Sequence, residues 1–259
     1  PLSMEWKMFC LHLYIIACIP AFVKGVPCAA GGFMLKLQQC AGCFAAQEGE
    51  YSAMKVLLIN GSPHAEGCTY TALSLVAGEL NAAGIETEIL NVGTQPVGGC
   101  IGCGGCASGS GCVFGGVVNE AIEKAKTADG FVFGSPVHYA SASGNMTSFM
   151  DRLSYAGGKY LAYKPAAICC SARRAGTTTT LDQLVKYPQF FHMPLVNGSY
   201  WAMVHGSKPE QVLQDEEGCA VMKELGRNMA WLLRCIEAGK AAGISHPENP
   251  RRPMTNFIR

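Results

Sequence analysis

From Met54 onward the chain alternates short aliphatic runs with stretches of helical spacing, and this alternation restricts it to few architectures. Lys55 to Asn60 (KVLLIN) is mostly aliphatic and stops at Gly61-Ser62-Pro63, as a strand buried on both faces does. Thr69 to Ala83 places Leu73, Val76, Ala77 and Leu80 at helical spacing, with Gly84 at the stopping point. Ile85 to Leu90 alternates apolar and polar residues, the pattern of a strand near a sheet edge. The same reading predicts helices near Val117 to Thr127, Gly144 to Ala156, Thr180 to Tyr187 and Glu216 to Ala242. It predicts further strands at Gly130 to Gly134, Ala166 to Cys170 and Leu195 to Val204. Five strands alternating with five helices imply an α/β fold, a doubly wound parallel sheet with helices on both faces. Ligands of such sheets bind beyond the carboxyl ends of the strands where strand order reverses. The loops after the first, third and fourth strands are therefore the candidate site.

Composition excludes several classes of partner. The formal net charge is +1, and Lys and Arg cluster no more densely than Arg173-Arg174 and Arg251-Arg252, so no footprint for nucleic acid or an anionic membrane is visible. A small-molecule partner is the expectation. Residues 1–53 read as an N-terminal extension, either an over-extended start, an appended sequence or a signal-like segment, ahead of a domain at 54–259. The apolar run Met8 to Val23 is broken by His12 and Pro20 and is short for a membrane span. Cys40-x2-Cys43 has no second pair nearby at zinc spacing.

The loop Gly61 to Thr69 leaves the first strand and enters a helix N-terminus, where free N–H groups and the helix dipole favour an anion. Ser62, Thr69 and Thr71 add hydroxyls, and Gly61 and Gly67 permit close backbone approach. No Lys is present, and neither G-x-x-x-x-G-K-[ST] nor G-x-G-x-x-G fits, which disfavours a magnesium triphosphate. A plain turn capped by Ser and Thr gives the same pattern.

INGSPHAEGCTYTAL, the later FGSPVHYASASGNMTSFMDR, QDEEG at Gln214 to Gly218 and the ending TNFIR resemble the NADPH-dependent FMN reductase family of flavodoxin-like proteins. The resemblance implies a three-layer sheet of strand order 2-1-3-4-5. It implies that Ser62, His64, Gly67, Cys68 and Thr69 surround the FMN phosphate, Cys68 standing where Asn is more usual. It implies that Pro136, Val137, His138, Tyr139, Ser143 and Gly144 line the isoalloxazine. The third loop, Ser171 to Thr178, adds Ser171, Arg173 and Gly176 to the expected cofactor contacts. Arg173 and Arg174 suit a nicotinamide-cofactor phosphate, or are solvated charges.

Cys100-x2-Cys103-x2-Cys106-x5-Cys112 lies in a loop with seven glycines from Gly98 to Gly111. This compact spacing lets one segment supply four thiolates to a [4Fe–4S] cluster, and it resembles the motif of iron–sulfur flavoproteins. Free or oxidised thiols and another metal remain open alternatives. The expected function is an NAD(P)H oxidoreductase passing electrons through FMN to a quinone, azo compound, flavin or cluster, with His138 and Tyr139 as candidate proton donors. The alternative is an electron carrier reduced by ferredoxin. The grouped cysteines suit a reduced, cytoplasmic setting, and the resemblance implies a homodimer or higher homo-oligomer. For that contact the sequence offers Pro188 to His192, Tyr200 and Trp201, together with the tail from Pro250.

Overall fold

The computed structural model describes residues 53–250 and 253–255. Apart from Ala53, the expected extension at 1–53 lies outside the described residues, as do Arg251, Arg252 and residues 256–259.

The aliphatic run forms β1 (Lys55–Asn60), which pairs in parallel with β2 (Glu86–Asn91) on one side and β3 (Gly130–His138) on the other. Beyond β3 come β5 (Ala166–Ala172) and β6 (Met203–His205), giving the order β2-β1-β3-β5-β6. The five parallel strands, counted alone, keep the order 2-1-3-4-5. What the sequence did not reveal is β4 (Ser141–Ala142), two residues that fold back antiparallel on the end of β3.

Alternation along the strands divides the core. Val56, Leu58, Val132, Ala167 and Cys169 pack with α1 (Cys68–Ala82) and α6 (Glu216–Ala241), chiefly through Leu73, Val76, Leu80, Met222, Leu225 and Met229. Leu57, Ile59, Phe131, Phe133, Ile168 and Cys170 face the opposite layer. That layer holds α2 (Val117–Thr127), α3 (Gly144–Gly157) and α4 (Thr177–Phe190). Strands buried on both faces read as continuous apolar runs for this reason.

Two boundaries differ from the sequence reading. β3 continues to His138 because its end is paired by β4. The expected strand Leu195 to Val204 shrinks to Met203–His205, with a single bridge from Leu195 to Ala166. Between them Asn197 and Ser199 turn toward α6, where Asn228 Nδ2 donates to Asn197 O (2.8 Å) and Glu224 Oε2 accepts from Ser199 N (2.8 Å). A short helix, α5 (Pro209–Val212), precedes α6. Phe190, Tyr200 and Trp201 are exposed, whereas Phe191 is partly buried against the core. Among the described residues no helix is long and apolar enough to cross a membrane.

Burial pushes the Cys169 thiol up to about 12 and the Cys170 thiol higher still. Near neutral pH both thiols therefore stay protonated and shielded from solvent. Iodoacetamide on the reduced native protein is therefore expected to spare both, and to label both once urea unfolds the chain. Labelling of either at the rate of exposed Cys100 contradicts this placement.

Candidate functional site

Strand order reverses between β1 and β3, so the loops leaving their carboxyl ends open a crevice there. Asn60, the last residue of β1, is fully buried and shapes the first loop. Its Nδ2 donates to Asn91 Oδ1 (2.7 Å) and Ala65 O (3.2 Å), and its Oδ1 accepts from Ser62 N (3.1 Å). Ser62 Oγ accepts from His64 N (3.1 Å), which leaves its hydrogen without an acceptor among the described residues. α1 begins after Gly67 with no side-chain cap, so the N–H groups of its first turn point outward without intrahelical partners. Thr69 and Ser171, both buried, share a hydrogen bond of 2.8 Å that ties this loop to the end of β5. Cys68 Sγ donates to Gly206 O (3.5 Å), and partial burial pushes its thiol up, so it contributes a neutral group. His64 is exposed.

The second loop is a hairpin. Val137 pairs with Ala142 and His138 with Ser141, leaving Tyr139 and Ala140 as a two-residue turn with φ of 49° and 58°. Two successive positive φ values define a type I′ turn, usually filled by Asn or Gly, and here each side chain costs about 1–3 kcal/mol of strain. The turn is held from α4. Gln183 Oε1 accepts from Ser141 Oγ (2.7 Å) and Ala142 N (2.9 Å), while Thr179 Oγ1 donates to Ala140 O (2.8 Å). Tyr139 projects fully into solvent, with His138 exposed beside it and Pro136 and Val137 half-buried below.

Ser143 follows. Its Oγ donates to Gly61 O (2.7 Å) and accepts from Met146 N (3.3 Å), so it caps α3 and braces the first loop against the second. Gly144 opens α3 on the exposed side. In the third loop Arg173 and Arg174 are exposed and form no ion pair among the described residues. Gly176 has φ of 94°, and a Cβ there would lie 2.6 Å from Ala140 Cα. Only glycine lets this loop approach the hairpin.

All four cysteines of the glycine-rich loop line one cavity of about 240 Å³, closed by Ile101, Val113, Phe114, Arg152, Tyr155 and Ala156. Gly102, Gly104, Gly109 and Gly111 take positive φ, which is how so short a segment curls its thiols toward one space. Asn119 of α2 grips the Cys112 backbone at both its N (2.8 Å) and O (3.0 Å). Arg152 of α3 donates through Nε to Cys112 Sγ (3.2 Å), and Asn145 of α3 holds Gly93 O, Gln95 O and Val97 N. Among the described residues no three acidic, His or Cys side chains stand close enough for a single metal ion. Two larger clefts, about 490 and 540 Å³, run along α4 away from these strand ends.

The structure thus gathers Ser62, His64, Gly67, Cys68, Thr69 and Ser171 in one region. Pro136 to Gly144 lie with Gly176 beside them, and the four cysteines occupy a separate cavity. Sequence reasoning missed Asn60, Asn119, Asn145 and Arg152. Asn60 carried a faint signal as an amide closing an aliphatic strand, whereas the others act across more than one element.

A parallel sheet of this order, with three loops collected at the ends of β1, β3 and β5, defines a flavodoxin-like α/β protein. Residues 54–208 match the family described as NADPH-dependent FMN reductase, and the chain belongs to that family of FMN-binding oxidoreductases. It is 30% identical over 193 residues to an iron–sulfur flavoprotein of Methanocaldococcus jannaschii, covering 71% of this chain and 100% of that one. An iron–sulfur flavoprotein of Archaeoglobus fulgidus is 28% identical, covering 73% and 96%. Among solved structures, RosB with bound 8-demethyl-8-formylriboflavin-5'-phosphate shares the fold with TM-score 0.57 at 15% identity, covering 80% of this chain and 96% of that one.

Asn60→Ala removes the amide that shapes the first loop and leaves buried partners unpaired. A stability loss of about 1–3 kcal/mol is expected in urea unfolding, with FMN affinity weakened about tenfold or more. Wild-type affinity in a fluorescence titration would show that the loop keeps its shape without this side chain.

Proposed function

We propose that the protein is an FMN-dependent oxidoreductase that takes electrons from NAD(P)H and delivers them to a [4Fe–4S] cluster or a small acceptor such as a quinone, azo compound or flavin. The observation that carries this reading is the placement of four thiols on one cavity, beside a sheet whose three strand-end loops form a cofactor crevice. Bound FMN supplies a ring that accepts hydride and releases electrons singly or in pairs.

The residues present fit both groups. An uncapped helix N-terminus, with the free hydrogen of Ser62 and the one hydrogen left over from the Thr69–Ser171 hydroxyl pair, offers donors to a phosphate. His64, Gly67 and Cys68 complete that wall. Pro136, Val137 and the hairpin backbone would border the ring, with Ser143 bracing the two loops beside it and Gly144 opening α3 next to them. Tyr139, exposed at the hairpin tip, would shield a bound ring, and His138 and Tyr139 would be its proton donors. Arg173, exposed on the third loop, would offer its guanidinium to the phosphates of a nicotinamide cofactor, and Gly176 lets that loop approach the hairpin. Cys100, Cys103, Cys106 and Cys112 line one cavity and would supply the four thiolates that a cluster needs.

The domain at 54–259 carries this activity, with residues 1–53 as an extension, in a reduced cytoplasmic setting and as a homo-oligomer. A second reading, an electron carrier reduced by ferredoxin, is favoured by the exposed Ile101, Val113 and Phe114 around the cysteines, a rim suited to protein contact.

Anaerobically purified protein is expected to show flavin bands over a broad iron–sulfur shoulder. Cys103→Ser should lose the shoulder and keep the flavin, and a variant spectrum identical to wild type would remove the cluster from the reading. NADPH is expected to bleach the flavin band. Bleaching by reduced ferredoxin alone would establish the carrier instead.

A further inference from the structure

Among the described residues Arg152 supplies the only formal positive charge in the lining of the cysteine cavity. It lies on α3 and is 6% exposed. Among the described residues no carboxylate reaches it, since every ion pair there involves other cations. Its planar fork instead donates to Gly115 O through NH2 (2.9 Å), to Gly98 O through NH1 (3.4 Å) and to Cys112 Sγ through Nε (3.2 Å). The Phe114 ring lies 5.6 Å from its guanidinium carbon.

A buried guanidinium without a countercharge is unfavourable, and carbonyl dipoles offset only part of that penalty. The group it faces is a sulfur. Its other two contacts flank the cysteine segment on either side, Gly98 before Cys100 and Gly115 after Cys112, so one side chain fastens both ends of the loop. Lys has no equivalent, because a single ammonium cannot span three acceptors set by a rigid fork.

We propose that Arg152 is the positioning and potential-setting residue of the cysteine loop, holding Cys112 Sγ in place as a ligand and providing the countercharge for an anionic iron–sulfur cluster. This rests on reading the cysteine loop as a cluster site. Reduction by one electron adds one negative charge to an assembly already anionic. A fixed cation hydrogen-bonded to a ligand sulfur favours the reduced state and raises the potential. Loss of the charge lowers the potential, and loss of the fork frees the loop ends and weakens loading.

The test uses the full chain, reconstituted anaerobically with ferrous iron and sulfide, in wild-type, Arg152→Gln and Arg152→Lys forms. Iron per FMN is measured, and the cluster is titrated with dithionite as the electron donor under electron paramagnetic resonance. Arg152→Gln is expected to hold several-fold less iron, with the remaining cluster at a lower midpoint potential and the FMN content unchanged. Arg152→Lys should recover the potential more fully than the iron content, because it restores charge without the fork. Wild-type iron and potential in Arg152→Gln would overturn the proposal while leaving the cluster reading intact. A wild-type protein that takes up no cluster overturns the cluster reading, and the role of Arg152 falls with it. Loss of FMN and of helical circular dichroism in both variants would assign Arg152 to the fold alone, against the proposal.

Discussion

The parallel register of β1 with both neighbours is the constraint on which the remaining structure depends. It aligns Asn60 with Asn91 of β2 and with Gly134 of β3, so β1 ends its pairing with both neighbours in one row. From that row the first loop leaves across β1, and Gly61 N still donates to Gly134 O (2.9 Å) as the strands part. A slip of one residue would turn Asn60 toward a different face and move Leu57 and Ile59 out of their helical layer. The amide of Asn60 bonds its neighbour strand and its own loop together, which makes the crevice a product of sheet register.

α3 extends that order away from the sheet. Its first residues receive the cap from Ser143, which also braces Gly61, and Asn145 one residue into the first turn holds the chain leaving β2. Arg152 comes seven residues after Asn145, about two turns along the helix, and reaches the cysteine loop. One rigid element therefore fixes the start of the first loop, the path out of β2 and the cysteine cavity. Buried Met146, Phe149 and Met150 hold that helix against Leu57, Ile59 and Phe133, so the apolar core supports the polar contacts on its other faces.

The hairpin shows a different balance. Tyr139 and Ala140 occupy left-handed backbone that neither prefers, and the strain is offset by four anchors: the two β3–β4 pairings, Gln183 and Thr179. Asn or Gly would relax the turn. The cost of retaining Tyr139 is met by side chains of the first two turns of α4, and the result is a fully exposed aromatic ring at the mouth of the crevice.

With the order of the strands coming only from the family resemblance, the sequence by itself determined the layered α/β class, five parallel strands, the first loop and the grouping of four cysteines. These follow from local regularities: apolar runs of strand length, helical spacing, glycines at turns and ligand spacing within one segment. It misjudged the end of β3 and the last strand, since pairing with β4 and capture of Asn197 and Ser199 by α6 depend on partners distant in the chain. Only the tertiary structure decided that Ser143 braces two loops and that Asn119 and Arg152 hold Cys112. Only there does Gly176 become obligatory, because a Cβ would strike Ala140. Sequence spacing records what a segment does with its own neighbours, whereas a buried polar side chain takes its role from whichever donor or acceptor the packed fold brings within hydrogen-bond reach.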